Sequence, residues 1–310
     1  MNILVLGATG YLGGRISEEL GEFGHSVVCA ARRVPKKIKS DIYSRFVKVD
    51  VFDRDQLRQL LDGVDVVVHS AGPNALTCIQ RPEDTIEFYK VGTSNLCSAA
   101  KAAGVKKLFF LSTAHVYASS LVGFFDEYTN TLNPHPYARC NVIGEIEALK
   151  LRGSCTNPYV FRLSNCFGRP ALANTNCWNL FVNDICRSSV VDGLIEIKQN
   201  PLLQRDFLPI KYLTQILNYF INSDGNHNIY NVGSGSAVSL IDMAKRVRHE
   251  SISLLNIKPK IKLHSSKEKQ ETFVYSVSRL FSENPLPTFL AHTELRDLLS
   301  HCHERLLRTL

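Results

Sequence analysis

A short apolar run, Asn2-Ile3-Leu4-Val5-Leu6, leads straight into Gly7-Ala8-Thr9-Gly10-Tyr11-Leu12-Gly13, and helical spacing follows from Tyr11 to Glu22. Few folds tolerate that order. Glycines there let the chain turn tightly, let a pyrophosphate reach the backbone, and let helix pack closely on strand. The free N–H groups and positive dipole end at a helix start form an anion site. In this placement the loop is expected to bind a dinucleotide through Gly7, Thr9, Gly10, Tyr11, Leu12 and Gly13, against the plainer reading of a glycine-rich turn.

The same rhythm continues. His25 to Ala30, Phe46 to Val49, Val64 to Val68 and Lys107 to Leu111 read as short buried strands. Helical segments at Arg54 to Leu61 and Thr93 to Ala103 stand between them. Near-continuous apolar strands alternating with helices predict a parallel sheet covered on both faces. Right-handed crossovers then make an α/β, doubly wound sheet the economical topology. After about Leu163 the loops lengthen and the alternation fades. We expect a dinucleotide-binding domain over 1–165 and a smaller substrate-binding part over 166–310, threaded back into the first. Thr293 to Leu307 predicts a closing helix.

Composition narrows the function classes. The 310 residues are 45% hydrophobic and 21% charged, with 36 Lys+Arg against 29 Asp+Glu. The resulting +7 is mild and comes with no dense basic helix, so nucleic acid is not the expected partner. Nine cysteines contain no C-x-x-C pair, and the first residues lack a secretion signal, which predicts a reduced, cytoplasmic protein. No apolar run approaches the ~20 residues that span a bilayer, so no membrane partner is expected. His301-Cys302-His303-Glu304 is the one metal-like cluster, and without a second ligand group it predicts no metal site.

The second strand speaks to the cofactor. An acidic residue at its end would hold ribose hydroxyls, but the chain reads Ala30-Ala31-Arg32-Arg33. Guanidinium forks suit a 2′-phosphate, so Arg32 and Arg33 favour NADP(H) over NAD(H). The alternative is that they open a solvated basic loop that continues through Lys36, Lys37 and Lys39.

These fragments resemble the extended short-chain dehydrogenase/reductases, the epimerase/dehydratase/reductase branch acting on nucleotide sugars. Further likeness lies in Asp50-Val51, His69-Ser70-Ala71-Gly72, Val91 to Leu96, Leu111 to Tyr117, Arg162 to Gly168, Arg205-Asp206-Phe207 and Asn231 to Gly235. The resemblance implies a Rossmann-like fold. It places Asp50 and Val51 along the adenine, and Ser70, Ala71, Gly72 and Leu163 around the cofactor. Asn165 and Arg205 then face a nucleotide-sugar substrate, Arg205 gripping its diphosphate. A homodimer through the helices of Tyr137 and Thr93 to Ala103 is the family's habit.

The family reaction is hydride transfer at a carbinol or ketone carbon, with a tyrosine moving the proton. Tyr137 stands in that place in His135-Pro136-Tyr137-Ala138-Arg139-Cys140-Asn141, and Thr113 matches the hydroxyl that bonds the reacting oxygen. A phenol has an ordinary pKa of about 10 and needs help to act as a base near neutrality. Family members carry a lysine four residues on; this chain has Asn141. Three readings stay open: a reductase whose protonated tyrosine needs no cation, an enzyme with a substitute cation, or a silent NADP(H)-binding sensor or scaffold. His115, two residues after Thr113, is expected on the same strand and face, where it is either a second acid/base or a structural histidine. The leading expectation is a 4-keto-sugar reductase or epimerase using NADP(H).

Overall fold

The computed structural model describes residues 1–34, 45–264, 271–283 and 291–307. Lys36, Lys37 and Lys39 therefore lie outside the described residues.

The first half alternates strand and helix: β1 (Asn2–Leu6), α1 (Tyr11–Glu22), β2 (Ser26–Ala31), β3 (Arg45–Lys48), α2 (Arg54–Leu60) and β4 (Val66–His69). Two short helices follow, α3 (Ala75–Gln80) and α4 (Pro82–Glu87). A π-helical turn, Phe88–Gly92, then runs into α5 (Thr93–Ala102). Next come β5 (Lys107–Thr113), β6 (Gly123–Phe125), α6 (Pro136–Leu149), β7 (Asn157–Leu163) and β8 (Asn165–Phe167). The later chain forms α7 (Phe181–Val191), β9 (Leu194–Ile197), β10 (Gln204–Pro209), α8 (Ile210–Asn222), β11 (Ile229–Val232) and β12 (Ala237–Ser239). It ends with α9 (Leu240–Leu255), β13 (Lys260–Leu263), β14 (Phe273–Tyr275), α10 (Ser278–Glu283) and α11 (Ala291–Leu307).

Among the described residues seven strands form one parallel sheet in the order β11-β7-β5-β4-β1-β2-β3. Its strands alternate between two cores. Ile3 and Val5 join Ile16, Leu20, Phe109 and Phe220 on the side of α1 and α8. Leu4 and Leu6 join Leu57, Leu96, Leu108 and Phe110 on the side of α2 and α5. Period-two alternation with both faces buried is why these strands read as continuous apolar runs. The sheet is the doubly wound α/β, Rossmann-like arrangement. β11 belongs to it, so the chain after residue 166 returns to the first sheet before finishing in a separate layer. In that layer α7, α9 and α11 share a core built on Ile185, Met243, Val247, Leu298 and Leu299. No helix among the described residues is long and apolar enough to cross a membrane.

The chain order reverses between β1 and β4, whose carboxyl ends open a crevice at Gly7 and Ser70. Ligands of open α/β sheets sit at such a switch point.

Candidate active site

The glycine loop is shaped by close approach. Gly7 has φ +91°, and a Cβ there would lie 2.7 Å from the Ala71 backbone. A Cβ on Gly13 would fall 2.3 Å from the Gly7 carbonyl and 2.5 Å from Ser70 Oγ, which is itself held by the Leu6 carbonyl at 2.8 Å. Gly10 caps α1 in extended conformation without a side chain to block its amides. Beside it opens a cavity of about 500 Å³. Its walls include Gly7, Thr9 and Gly10 from the first loop, Arg32 and Arg33 from the end of β2, Val51, and Ser70, Ala71 and Gly72 after β4. Leu6, Ala31, Val49, Pro73 and Phe88 complete it, the last three not legible in the motifs. Cradle, helix start and cavity fit a dinucleotide. Both arginines are exposed, without an ion-pair partner among the described residues.

Other expected cofactor residues are not among the walls of this cavity. The Tyr11 hydroxyl donates to the Gly168 carbonyl at 2.8 Å and accepts from Asn183 Nδ2 at 3.0 Å. Leu12 packs on the core, and Leu163 is buried at the end of β7. The Asp50 carboxylate accepts the Phe52 N–H at 3.0 Å, an Asx turn leading toward α2. Gly13 serves packing rather than a wall.

Tyr137, Thr113 and Asn141 converge. His135 Nδ1 accepts the Tyr137 N–H at 3.2 Å as the N-cap of α6, and Pro136 takes the first helical position, so Tyr137 projects from a fixed first turn. Asn141, one turn on and 2% exposed, donates from Nδ2 to the Tyr137 carbonyl at 2.9 Å. Burial pushes the Tyr137 phenol above its ordinary value, while hydrogen bonding from Asn141 and Thr113 pulls the other way. Besides burial, the largest influences on this phenol are Cys78, Asn141, Cys166 and Thr113, none of them a cation. It is a protonated phenol with polar, uncharged support.

His115 requires a correction. β5 ends at Thr113, whose Oγ1 accepts the His115 N–H at 3.2 Å and opens a single 3₁₀ turn, Ala114–Val116. The expected strand face is therefore lost: a hydroxyl at a strand end competes for the next amides. His115 instead neighbours Arg205 and His135. Burial first, then those positive neighbours, hold its pKa below the ordinary histidine value. Asn133, absent from the sequence reading, ties this corner together by donating to the His115 carbonyl at 2.6 Å and accepting the His135 N–H at 3.0 Å.

Arg205 leaves β10 half-buried. Its recorded hydrogen bond goes to the Gln204 carbonyl at 2.8 Å, and no carboxylate among the described residues pairs with it. Burial lowers its pKa, offset in part by Glu271. Asn165 donates to the Asp206 carbonyl at 2.9 Å, joining β8 to β10. Asp206 itself is 1% exposed. Its carboxylate accepts Ser164 Oγ, the Ser234 N–H at 2.9 Å and the Ser236 N–H at 3.2 Å, which fixes the loop after β11. Arg162 is likewise structural: it pairs with Glu145 at 2.7 Å and reaches Tyr117 Oη at 3.0 Å, beneath the site.

The family model for the NAD dependent epimerase/dehydratase family matches residues 3–233. The chain belongs to that family. This epimerase/dehydratase-family chain is 30% identical over 128 residues to a UDP-glucose 4-epimerase of Klebsiella pneumoniae, a match covering 38% of this chain and 92% of the relative. Against UDP-glucose 4-epimerase of Bos taurus it is 28% identical over 174 residues, 51% of this chain but only 44% of the relative's length. UDP-glucose 4-epimerase of Thermotoga maritima, solved with UDP-glucose, superposes with a TM-score of 0.81 at 17% identity, covering 99% of this chain and 100% of that one. At that identity the likeness shows the fold.

Proposed function

We propose that this family member reduces a keto group on a nucleotide-activated sugar, with Tyr137 as proton donor. The observation that carries the reading is the convergence of Tyr137, Thr113 and Asn141, where burial raises the phenol's pKa and none of the largest influences on it is a cation. A phenol so placed is a poor base and a competent acid, which suits reduction over oxidation. A nicotinamide cofactor supplies the hydride. Gly7, Thr9, Gly10, Ser70, Ala71 and Gly72 would hold its diphosphate and ribose. Thr113 bonds the substrate oxygen, Tyr137 gives it a proton as the alkoxide forms, and Asn141 steadies the first turn of α6. Arg205, with no carboxylate paired to it, supplies the charge for a nucleotide diphosphate. UDP-sugars in the names of the relatives support that substrate class.

NADP(H) is the proposed cofactor although the family carries NAD in its description. Arg32 and Arg33 stand on the cavity wall where a carboxylate would repel a 2′-phosphate. Epimerisation is the second reading, favoured by His115, a neutral imidazole near Arg205 able to exchange a proton. Exposed apolar Ile86, Val91 and Ile146 on neighbouring helices support a homodimer, which sedimentation would test. The functional test is turnover of nucleotide 4-keto sugars with NADPH. Net loss of NADPH identifies reduction, and isomerisation without net loss identifies epimerisation.

A further inference from the structure

Tyr89 lies on the π-helical turn Phe88–Gly92 and is 3% exposed. Turns of that kind recur at functional sites because the extra residue re-aims a side chain. Two glycines make room for this one. A Cβ on Gly72, a wall of the dinucleotide cavity, would lie 2.3 Å from the Tyr89 hydroxyl. A Cβ on Gly144 would lie 2.9 Å from the Tyr89 ring and 2.3 Å from Phe110. Asn141 and Gly144 are three apart on α6 and share a face. Asn141 and Tyr137 both lie near enough to this hydroxyl to influence it, Asn141 as a polar group and Tyr137 as a second phenol. Asn141 thus stands within reach of two phenols, Tyr89 and Tyr137.

We propose that Tyr89 is the positioning residue of this site: bedded on Gly144 and set against Gly72, its hydroxyl shares the Asn141 side chain with Tyr137, holding Asn141 at that phenol and occupying the space a longer cationic side chain at 141 would need. The Asn at this position and the Tyr at 89 are then one device. Only the kinetic consequence rests on Tyr137 as proton donor; the placement does not.

Full-length protein carrying ring-¹³C tyrosine tests the placement without substrate, the signals being assigned from Tyr137→Phe and Tyr89→Phe. Tyr89→Phe keeps the packing and is expected to shift the Tyr137 signal, whereas Asn141→Ala shifts both. A Tyr137 signal unmoved by Tyr89→Phe overturns the proposal. In a second arm, phenolate absorbance is followed against pH. Asn141→Lys alone leaves the lowest phenol midpoint in place. Combined with Tyr89→Ala, or Tyr89→Leu where alanine does not fold, it lowers that midpoint by about one unit or more, as a nearby cation does. An equal fall in the single variant overturns the occupancy claim. Should wild type reduce a nucleotide sugar, Tyr89→Phe lowers kcat about tenfold with KM little changed, the loss of one hydrogen bond's worth of barrier. Wild type that turns over no sugar defeats the functional reading and leaves the two spectroscopic arms to judge Tyr89.

Discussion

Asn141 Nδ2 donates to the backbone carbonyl of Tyr137 at 2.9 Å, so the residue one helical turn on is tied back to the very tyrosine it supports. The bond spends an amide N–H on geometry and brings no charge. Burial, not this bond, holds the phenol above its ordinary value, so in the proposed reaction it acts as an acid.

Tyr137→Phe removes that acid and leaves the ring. Ketone reduction is expected to fall about 10²–10⁴-fold, the range for losing a positioned proton donor. NADPH affinity by fluorescence titration should match wild type, because Tyr137 is no wall of the dinucleotide cavity.

Arg32 and Arg33 are exposed on the cavity wall. Replacing both with Ser should weaken NADPH at least tenfold, as charge-assisted hydrogen bonds of about 1.5–3 kcal/mol are lost. NADH affinity should stay within about twofold. Calorimetric titration of both cofactors distinguishes this from a solvated basic loop, for which neither affinity changes.

Gly13→Ala tests the loop. Its Cβ would sit 2.3 Å from the Gly7 carbonyl and 2.5 Å from Ser70 Oγ, so the loop must shift. Cofactor affinity should drop at least tenfold. Gly24→Ala, with φ +83° but open space around it, should lower thermal stability and spare cofactor binding.

Glu294 makes stability depend on pH in an uncommon direction. It is 1% exposed, beside Arg15 and Glu19, and burial first raises its pKa to about 7. The ordinary unfolded carboxyl titrates near 4.3. The native state therefore holds this proton more tightly, and its contribution is full below the unfolded value and lost as pH rises through about 7. Folding stability should fall between about pH 4 and 7, by an amount on the order of 1–3 kcal/mol, and the thermal midpoint with it. Glu294→Gln should flatten that fall and raise the midpoint at pH 8. An unchanged slope would show that the cluster is not responsible.

Much of this was open to sequence reading because the signals are local. Apolar runs with interposed helices predict the doubly wound sheet, and the seven-stranded order realises it. Gly7, Gly10 and the Ser70–Gly72 turn lie where the motif spacing puts them. What escaped depends on contacts between distant segments. Tyr89 meets Gly72, Gly144 and Asn141 only after the sheet has formed, and nothing in Val91-Gly92-Thr93 points to it. The Tyr11 hydroxyl bonds Gly168 and Asn183 in the later layer, contacts that the glycine motif does not announce. His115 left the strand because the Thr113 hydroxyl captured its amide.

The most direct test of the account incubates wild type and Tyr137→Phe with NADPH and a panel of nucleotide 4-keto sugars, following NADPH absorbance and the sugar by NMR. The account predicts that wild type consumes NADPH and yields a hydroxyl sugar with at least one substrate, while Tyr137→Phe binds the cofactor equally and does not. Equal turnover by the two proteins, or tight NADPH binding by wild type with no sugar changed, would contradict it.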